Sequence, residues 1–267
     1  MSALEEPLAG GMGNAGAVVR VGDTVRRPVK SSSAAVQALL VHLEGVGFDD
    51  APRYLGVDDK GREVVSFIEG EVPLPPYPAW CLTGEALDGV ARLLRHFHDA
   101  TASFDTSSAS GWALEFADPE GGPVICHNDV FPENVVFRSG EPVAFIDFDL
   151  AAPGQRLWDV SLTLHEWAPL HAPEARHRHP AHLDGVARVG RFARAYGVDP
   201  DEATDLGEIV IASRRQVLAH IRSEIARGTQ VWIDDWRETR GEERAAADDA
   251  WHEANREAMV AAVAGSN

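Results

Sequence analysis

Apolar residues recur at two different periods along this chain, and the period changes near residue 70. Ala17–Val21 and Thr24–Val29 are short β-like runs separated by Gly22-Asp23, the pattern of a hairpin. Val36, Leu39, Leu40 and Leu43 then recur at helical spacing. Ser31–Ser33 can cap that helix, and Gly45 and Gly47 end it. Tyr54-Leu55-Gly56 and Val64–Ile68 predict further strands around a turn at Asp58–Gly61. Residues 1–68 therefore predict a small β-rich unit with one helix. Glu69–Tyr77 contains Gly70, Pro73, Pro75 and Pro76 and reads as a linker. From Thr83 the stripe Leu87, Val90, Ala91, Leu94 and Phe97 predicts a helix. Short strands are expected at Val124–Cys126, Val135–Arg138 and Val143–Ile146. The chain after Trp158 reads as mostly helical. Asp199-Pro200 is a helix start, followed by the stripe Leu206, Ile209, Val210, Val217, Ile221 and Ile225. Gly241–Ala264 predicts an outer helix. The expected order is an N-lobe at 1–68, a linker at 69–77 and a helical C-lobe at 78–267, with a ligand between the lobes.

Composition narrows the function. The 267 residues carry 24 basic and 42 acidic side chains, a net charge of −18. That excess argues against a phosphate-backbone binder, which needs a basic face. It suits a cationic ligand or simple solubility. No apolar run approaches the ~20 residues that span a bilayer. The N-terminus lacks the basic start and apolar core of a secretory signal. Cys81 and Cys126, without paired spacing, exclude a disulfide framework or zinc knuckle and point to a reducing cytoplasm.

The densest chemistry lies in VICHNDVFPENVVFRSGEPVAFIDFD, residues 124–149. An apolar run leads into His127-Asn128-Asp129, and Asn134 follows five residues later. A predicted hairpin then ends in Asp147-Phe148-Asp149. Asp129, Asn134 and Asp147 can converge where these strands end. Phosphoryl transfer needs such a set: a carboxylate to accept the proton of an attacking hydroxyl, and hard oxygens to hold Mg²⁺ against a triphosphate.

His127-x-Asp129-x4-Asn134 followed by Ile146-Asp147-Phe148-Asp149 resembles the signature of aminoglycoside phosphotransferases and choline-kinase-like small-molecule kinases. Among these, the likeness extends to a bacterial, trifolitoxin-immunity-like branch. It continues at Trp158-Asp159 and fits His98, over about residues 10–170. The resemblance implies an α+β, protein-kinase-like fold with a small β-rich N-lobe and a larger, mostly helical C-lobe. It implies Asp129 as the catalytic base, Asn134 and Asp147 as Mg²⁺ ligands, and ATP (or GTP) as phosphoryl donor. Asp159 would brace the catalytic loop, and His127 would hold it by hydrogen bonds. Gly11, Gly13 and Gly16 then fit a kinase-type glycine loop over the phosphates. The segment before them, MSALEEPLAG, carries no strand pattern, which counts against a Rossmann reading. Arg26 stands nearest the place of the phosphate-binding lysine, with Arg27 and Lys30 as rivals. No carboxylate falls at Val36 or Gln37 to pair with it. Backbone groups of Ser66 and Ile68 are expected at the adenine edge.

Competing readings are few. A non-catalytic protein of this fold could sequester a nucleotide or toxin, as the absent ion pair allows. Val143–Asp149 also fits a phosphatase strand ending in Asp-x-Asp, but leaves His127–Asn134 unexplained. Cys126 and His127 face opposite sides of a strand, which excludes a thiol-protease pair. His171, His177, His179 and His182 read as a solvated loop rather than a metal site. Trp232, Trp236 and Trp251, with Asp234, Asp235 and Glu238, fit either helix packing or a surface for a cation. The expected activity is phosphoryl transfer to a small-molecule alcohol, an aminoglycoside or another cationic one, without nucleic-acid or membrane partners.

Overall fold

The computed structural model describes residues 4–8, 17–176 and 178–265. The N-terminal part is a five-stranded sheet in the order β1-β2-β3-β5-β4. Its strands are β1 Glu6–Pro7, β2 Val19–Val21, β3 Thr24–Arg27, β4 Tyr54–Val57 and β5 Glu63–Ser66. All neighbours run antiparallel, with Val25 opposite Val65 and Arg27 opposite Glu63. Helix α1, Ser33–Gly45, buries the predicted stripe Val36, Leu39, Leu40 and Leu43. Its start differs from expectation, because Ser32 at the N-cap makes no side-chain cap bond. Ser33 Oγ instead accepts the Lys30 N–H at 2.9 Å.

Strand β1 was not legible. Glu6 and Pro7 pair with Arg20 and Val19. Both residues are exposed, so no apolar alternation marks them. An edge strand tolerates the proline because one side of its ladder is unpaired. Ion pairs from Glu5 to Lys60 and Arg62 fasten this edge. Gly11, Gly13 and Gly16 fall between β1 and β2 in sequence and lie outside the described residues.

The C-terminal part is built around α2, Gly84–Thr101. Thr83 Oγ1 accepts the Ala86 N–H at 3.1 Å, and Leu87, Val90, Ala91, Leu94 and Phe97 are buried. Strand β6, Val124–Cys126, pairs with β9, Ala152–Gly154. Strand β7, Val135–Arg138, pairs with β8, Glu141–Phe145. A Cβ at Gly122 would lie 2.1 Å from the Gly154 carbonyl oxygen, so glycine permits this close approach of β6 and β9. Helices α3 Arg156–Trp167, α4 Gly185–Tyr196, α5 Ala203–Ala226, α6 Gln230–Glu238 and α7 Gly241–Val263 complete the layer. α4 packs on α2 and α7, and α5 on α3 and α7.

Asp199 caps the turn leading into α5, with Glu202 closing a capping box. Along α5 only the first part of the predicted stripe is core. Leu206 and Val210 are buried, whereas Val217, Ile221 and Ile225 are half-exposed. No described helix is long and apolar enough to cross a membrane.

Candidate active site

Strand β6 delivers His127, Asn128 and Asp129 into a loop held from behind by one carboxylate. Asp159 in the first turn of α3 accepts the His127 N–H at 2.6 Å, the Asn128 N–H at 2.9 Å and His98 Nε2 at 3.0 Å. All four residues are buried. His98 Nδ1 meets the Tyr196 hydroxyl at 2.7 Å, which ties this brace to α4. The hydrogen bonds and His98 hold the Asp159 pKa below its ordinary value despite burial. His127 Nε2 contacts the Ile146 carbonyl at 3.1 Å, and the Asp129 N–H donates to His127 Nδ1 at 3.3 Å. Burial pushes this imidazole down to about 4, so it is neutral at pH 7 and serves as a strut.

Asn128 adopts φ +62°, the left-handed region that favours Gly and tolerates Asn. That requirement explains an asparagine here. Its Nδ2 donates to the Leu150 carbonyl at 2.9 Å, tying the loop to the Asp147 turn. Asp147 is also left-handed, at φ +60°, where β8 gives way to a 3₁₀ turn over Phe148–Leu150.

Asn134 Nδ2 donates to Asp129 Oδ2 at 2.8 Å and to the Asp129 carbonyl at 2.9 Å. Its amide oxygen is left over as a hard donor. Asp129 is driven well above the usual carboxylate range, first by burial and then by the charge of Asp147. Asp147 itself rises to about 6, through burial and the neighbouring Asp149. Two acids raised by burial and by neighbouring carboxylates would be relieved by a cation bound beside them. The donor set of Asn134 and Asp147 therefore fits a magnesium ion that keeps waters and phosphates in its remaining positions.

On the opposite wall, Arg27 and Lys30, the rivals of Arg26, both reach Asp149. Arg26 and Arg27 point to opposite faces of β3. Arg26 Nε lies 3.6 Å from Asp58 and its NH1 donates to Thr24 Oγ1, so it turns away from the Asp147 loop. Arg27 turns toward it: NH1 donates to Asp149 Oδ1 at 2.8 Å. Lys30 Nζ reaches Asp149 Oδ2 at 2.6 Å. Arg27 Nε also pairs with Glu63 Oε2 at 3.0 Å, and Glu63 is 1% exposed. Gln37 Nε2 donates to the other Glu63 oxygen at 2.6 Å. The acid facing Arg27 thus comes from β5, and the helix contributes an amide where a carboxylate is lacking.

The segment after β5 is only partly available to a ligand. The Ser66 N–H donates to the Arg53 carbonyl at 2.9 Å, and Ser66 Oγ accepts the Arg53 N–H at 2.8 Å. The Ser66 amide is therefore engaged within the sheet. The Phe67 N–H goes to the Asp23 carbonyl at 2.9 Å. Ile68 makes no backbone hydrogen bond to another described residue. Arg138 Nε on the Glu69 carbonyl and paired Glu71–Phe137 bonds fasten this segment to the β7–β8 hairpin.

Sequence reasoning missed the wall beside Asp129. Glu133, within the same motif, accepts the Tyr77 hydroxyl at 2.7 Å and lies 3.6 Å from Arg178. Glu166 stands behind it, with His171 Nε2 at 4.0 Å. His171 Nδ1 lies 2.8 Å from Asp248 on α7. These two acids lift the imidazole to about 9 in spite of burial. His179 packs its ring on Tyr77 at 4.8 Å. A solvated loop therefore describes His182, which is exposed, but not His171 or His179. His177 lies outside the described residues. Trp236 packs against Gly241, and Trp251 against His252 and Arg176, which is helix packing. His98, Cys126 and Asp159 also cluster within 4.8 Å, but hydrogen bonds already occupy the acid.

A small antiparallel sheet with one helix, a larger helical part and acid-bearing loops from both β6 and β8 form the protein-kinase-like architecture. Residues 107–206, which span the His127–Asn134 loop, the Asp147 turn and α3, match the phosphotransferase enzyme family, APH. The chain is 44% identical over 140 residues to the trifolitoxin immunity protein of Rhizobium leguminosarum bv. trifolii, covering 51% of this chain and 52% of that one. It is 24% identical over 217 residues to a homoserine kinase of Bradyrhizobium diazoefficiens, covering 64% and 61%. The chain thus spans between half and two thirds of the length of these relatives. Its fold is similar to that of a choline/ethanolamine kinase family protein from Mesorhizobium loti, with a TM-score of 0.66 at 19% identity over 99% of this chain and 93% of that one.

Proposed function

We propose that this chain is a small-molecule phosphotransferase that moves the γ-phosphoryl group of ATP or GTP onto a hydroxyl. The observation that carries the reading is the pairing of Asp129 with Asn134 at 2.8 Å beside Asp147. Asn134 occupies one oxygen of Asp129 and leaves the other for an acceptor hydroxyl. The raised pKa makes Asp129 a stronger proton acceptor than an ordinary carboxylate. The acceptor oxygen bonds to the γ-phosphorus, and the bond from that phosphorus to the β–γ bridging oxygen breaks. The electron pair leaves with the nucleoside diphosphate, and the hydroxyl proton passes to Asp129. Mg²⁺, held by Asn134 and Asp147, would neutralise the phosphate charge. Arg27 takes the place first given to Arg26, and the Ile68 backbone meets the adenine edge. Glycines 11, 13 and 16 would cover the phosphates between β1 and β2.

The acceptor side favours a cation-bearing alcohol, an aminoglycoside among them. Glu133 stands beside Asp129, and the chain carries a net charge of −18. Two free, buried cysteines suit a cytoplasmic enzyme. The reading is tested by following nucleoside diphosphate release with a panel of alcohols. Asp129→Asn is expected to lower turnover by roughly 10²–10⁴-fold while nucleotide still binds. Full turnover in that variant refutes the base assignment. A relative that is an immunity protein favours a second reading, protection by sequestration. It is distinguished by protection that survives Asp129→Asn in cells.

A further inference from the structure

The residues around Asp149 take a further role, one that rests on the proposed nucleotide site. Two cations from the N-terminal part converge on one carboxylate. Arg27 NH1 lies 2.8 Å from Asp149 Oδ1, and Lys30 Nζ lies 2.6 Å from Asp149 Oδ2. The arrangement is unusual in its sequence economy. Arg27 is the last residue of β3, and Lys30 follows it across Pro28 and Val29, just before α1. Each cation addresses a different oxygen of the same group, as it would two oxygens of a phosphate. Asp149 belongs to the 3₁₀ turn that directly follows Asp147. The carboxylate therefore sits beside the position where phosphates and their metal would lie.

We propose that Asp149 is an internal stand-in for a nucleotide phosphate and that Lys30 is a second phosphate-binding residue beside Arg27. The polyphosphate of an entering nucleotide displaces the Asp149 carboxylate and takes over both cations. Arg27 remains anchored by Glu63 through its Nε during this exchange, so only its NH1 end changes partner. Lys30 is held by Asp149 at the end of a flexible stem, which can turn toward the phosphate once released. The Asp149 charge thus opposes the triphosphate by holding both cations.

This competition predicts an affinity that increases when a site residue is neutralised. The test is titration calorimetry of the full chain with ATP and with adenosine, in EDTA. Asp149→Asn, with Asp149→Ser as a second form should the first fold poorly, is expected to tighten ATP binding at least about fivefold. Lys30→Met is expected to weaken ATP binding about tenfold or more. Adenosine, which lacks phosphate, is expected to bind all these proteins alike. ATP bound by the wild type but not tightened by either Asp149 substitution overturns the stand-in. ATP affinity unchanged in Lys30→Met overturns the second phosphate contact. Failure of every protein to bind ATP, with and without Mg²⁺, overturns the nucleotide site itself and this inference with it.

Discussion

Arg27 does two jobs in one side chain, and substitution can separate them. It neutralises Glu63, which is 1% exposed, and it presents NH1 to the Asp147 side of the site. Arg27→Met leaves Glu63 buried with the Gln37 amide as its remaining side-chain partner among the described residues. Removing one partner of a buried pair costs about 3–5 kcal/mol, because an uncompensated charge stays behind. At roughly 2–4 °C per kcal/mol for a chain of this size, the melting temperature falls by roughly 6–20 °C. Adding Glu63→Gln removes the stranded charge and keeps an amide that can bond to Gln37. The double variant is expected to recover stability to within about 1 kcal/mol of the parent, since deleting both partners is often near neutral. It is not expected to recover nucleotide affinity. Thermal denaturation read by circular dichroism, paired with ATP titration, measures both quantities on the same samples. A stable double variant that binds ATP like the parent would show that Arg27 serves the fold alone.

Further outcomes follow from the acids and the imidazole. The pKa of Asp147 rises from 3.8 to about 6 in the folded chain, so its ionisation works against folding above about pH 6. In metal-free buffer at pH 7.5, Asp147→Asn is expected to stabilise the protein by about 1–3 kcal/mol and to abolish any Mg²⁺-dependent gain in nucleotide affinity. A destabilised variant contradicts that sign. His171 titrates the other way. Its folded pKa of about 9 lies above the ordinary 6.5, so its contribution is complete below about pH 6.5 and is lost as the pH climbs through 9. Melting curves from pH 6 to pH 10 should fall in that window for the parent, and fall less steeply for His171→Gln.

The Asp129–Asn134 contact was legible because its parts are local. Asp129 and Asn134 sit five residues apart in one loop, and their spacing alone brings the amide to the acid at 2.8 Å. The stripe on α2 was equally plain, since every predicted position is buried. The choice between Arg26 and Arg27 is not legible locally, because adjacent strand residues face opposite ways and only the register of β3 decides which one looks toward Asp149. Glu63 was invisible for a related reason. Its partnership with Arg27 joins strands 36 residues apart, which no local pattern encodes. The His171 cluster depends on Asp248 in α7, far along the chain, so the loop reads as polar until that helix covers it.

The cross-strand placement of Glu63 also bears on control. In protein kinases the corresponding acid rides on the helix, and moving that helix makes or breaks the ion pair. Here Arg27 and Glu63 are directly opposed partners in the β3–β5 ladder. Separating them would require the sheet to come apart, whereas a tilt of α1 would detach only the Gln37 amide. The N-terminal half therefore resembles a welded bracket more than a lever. A displacement of α1 would thus leave the Arg27–Glu63 pair in place.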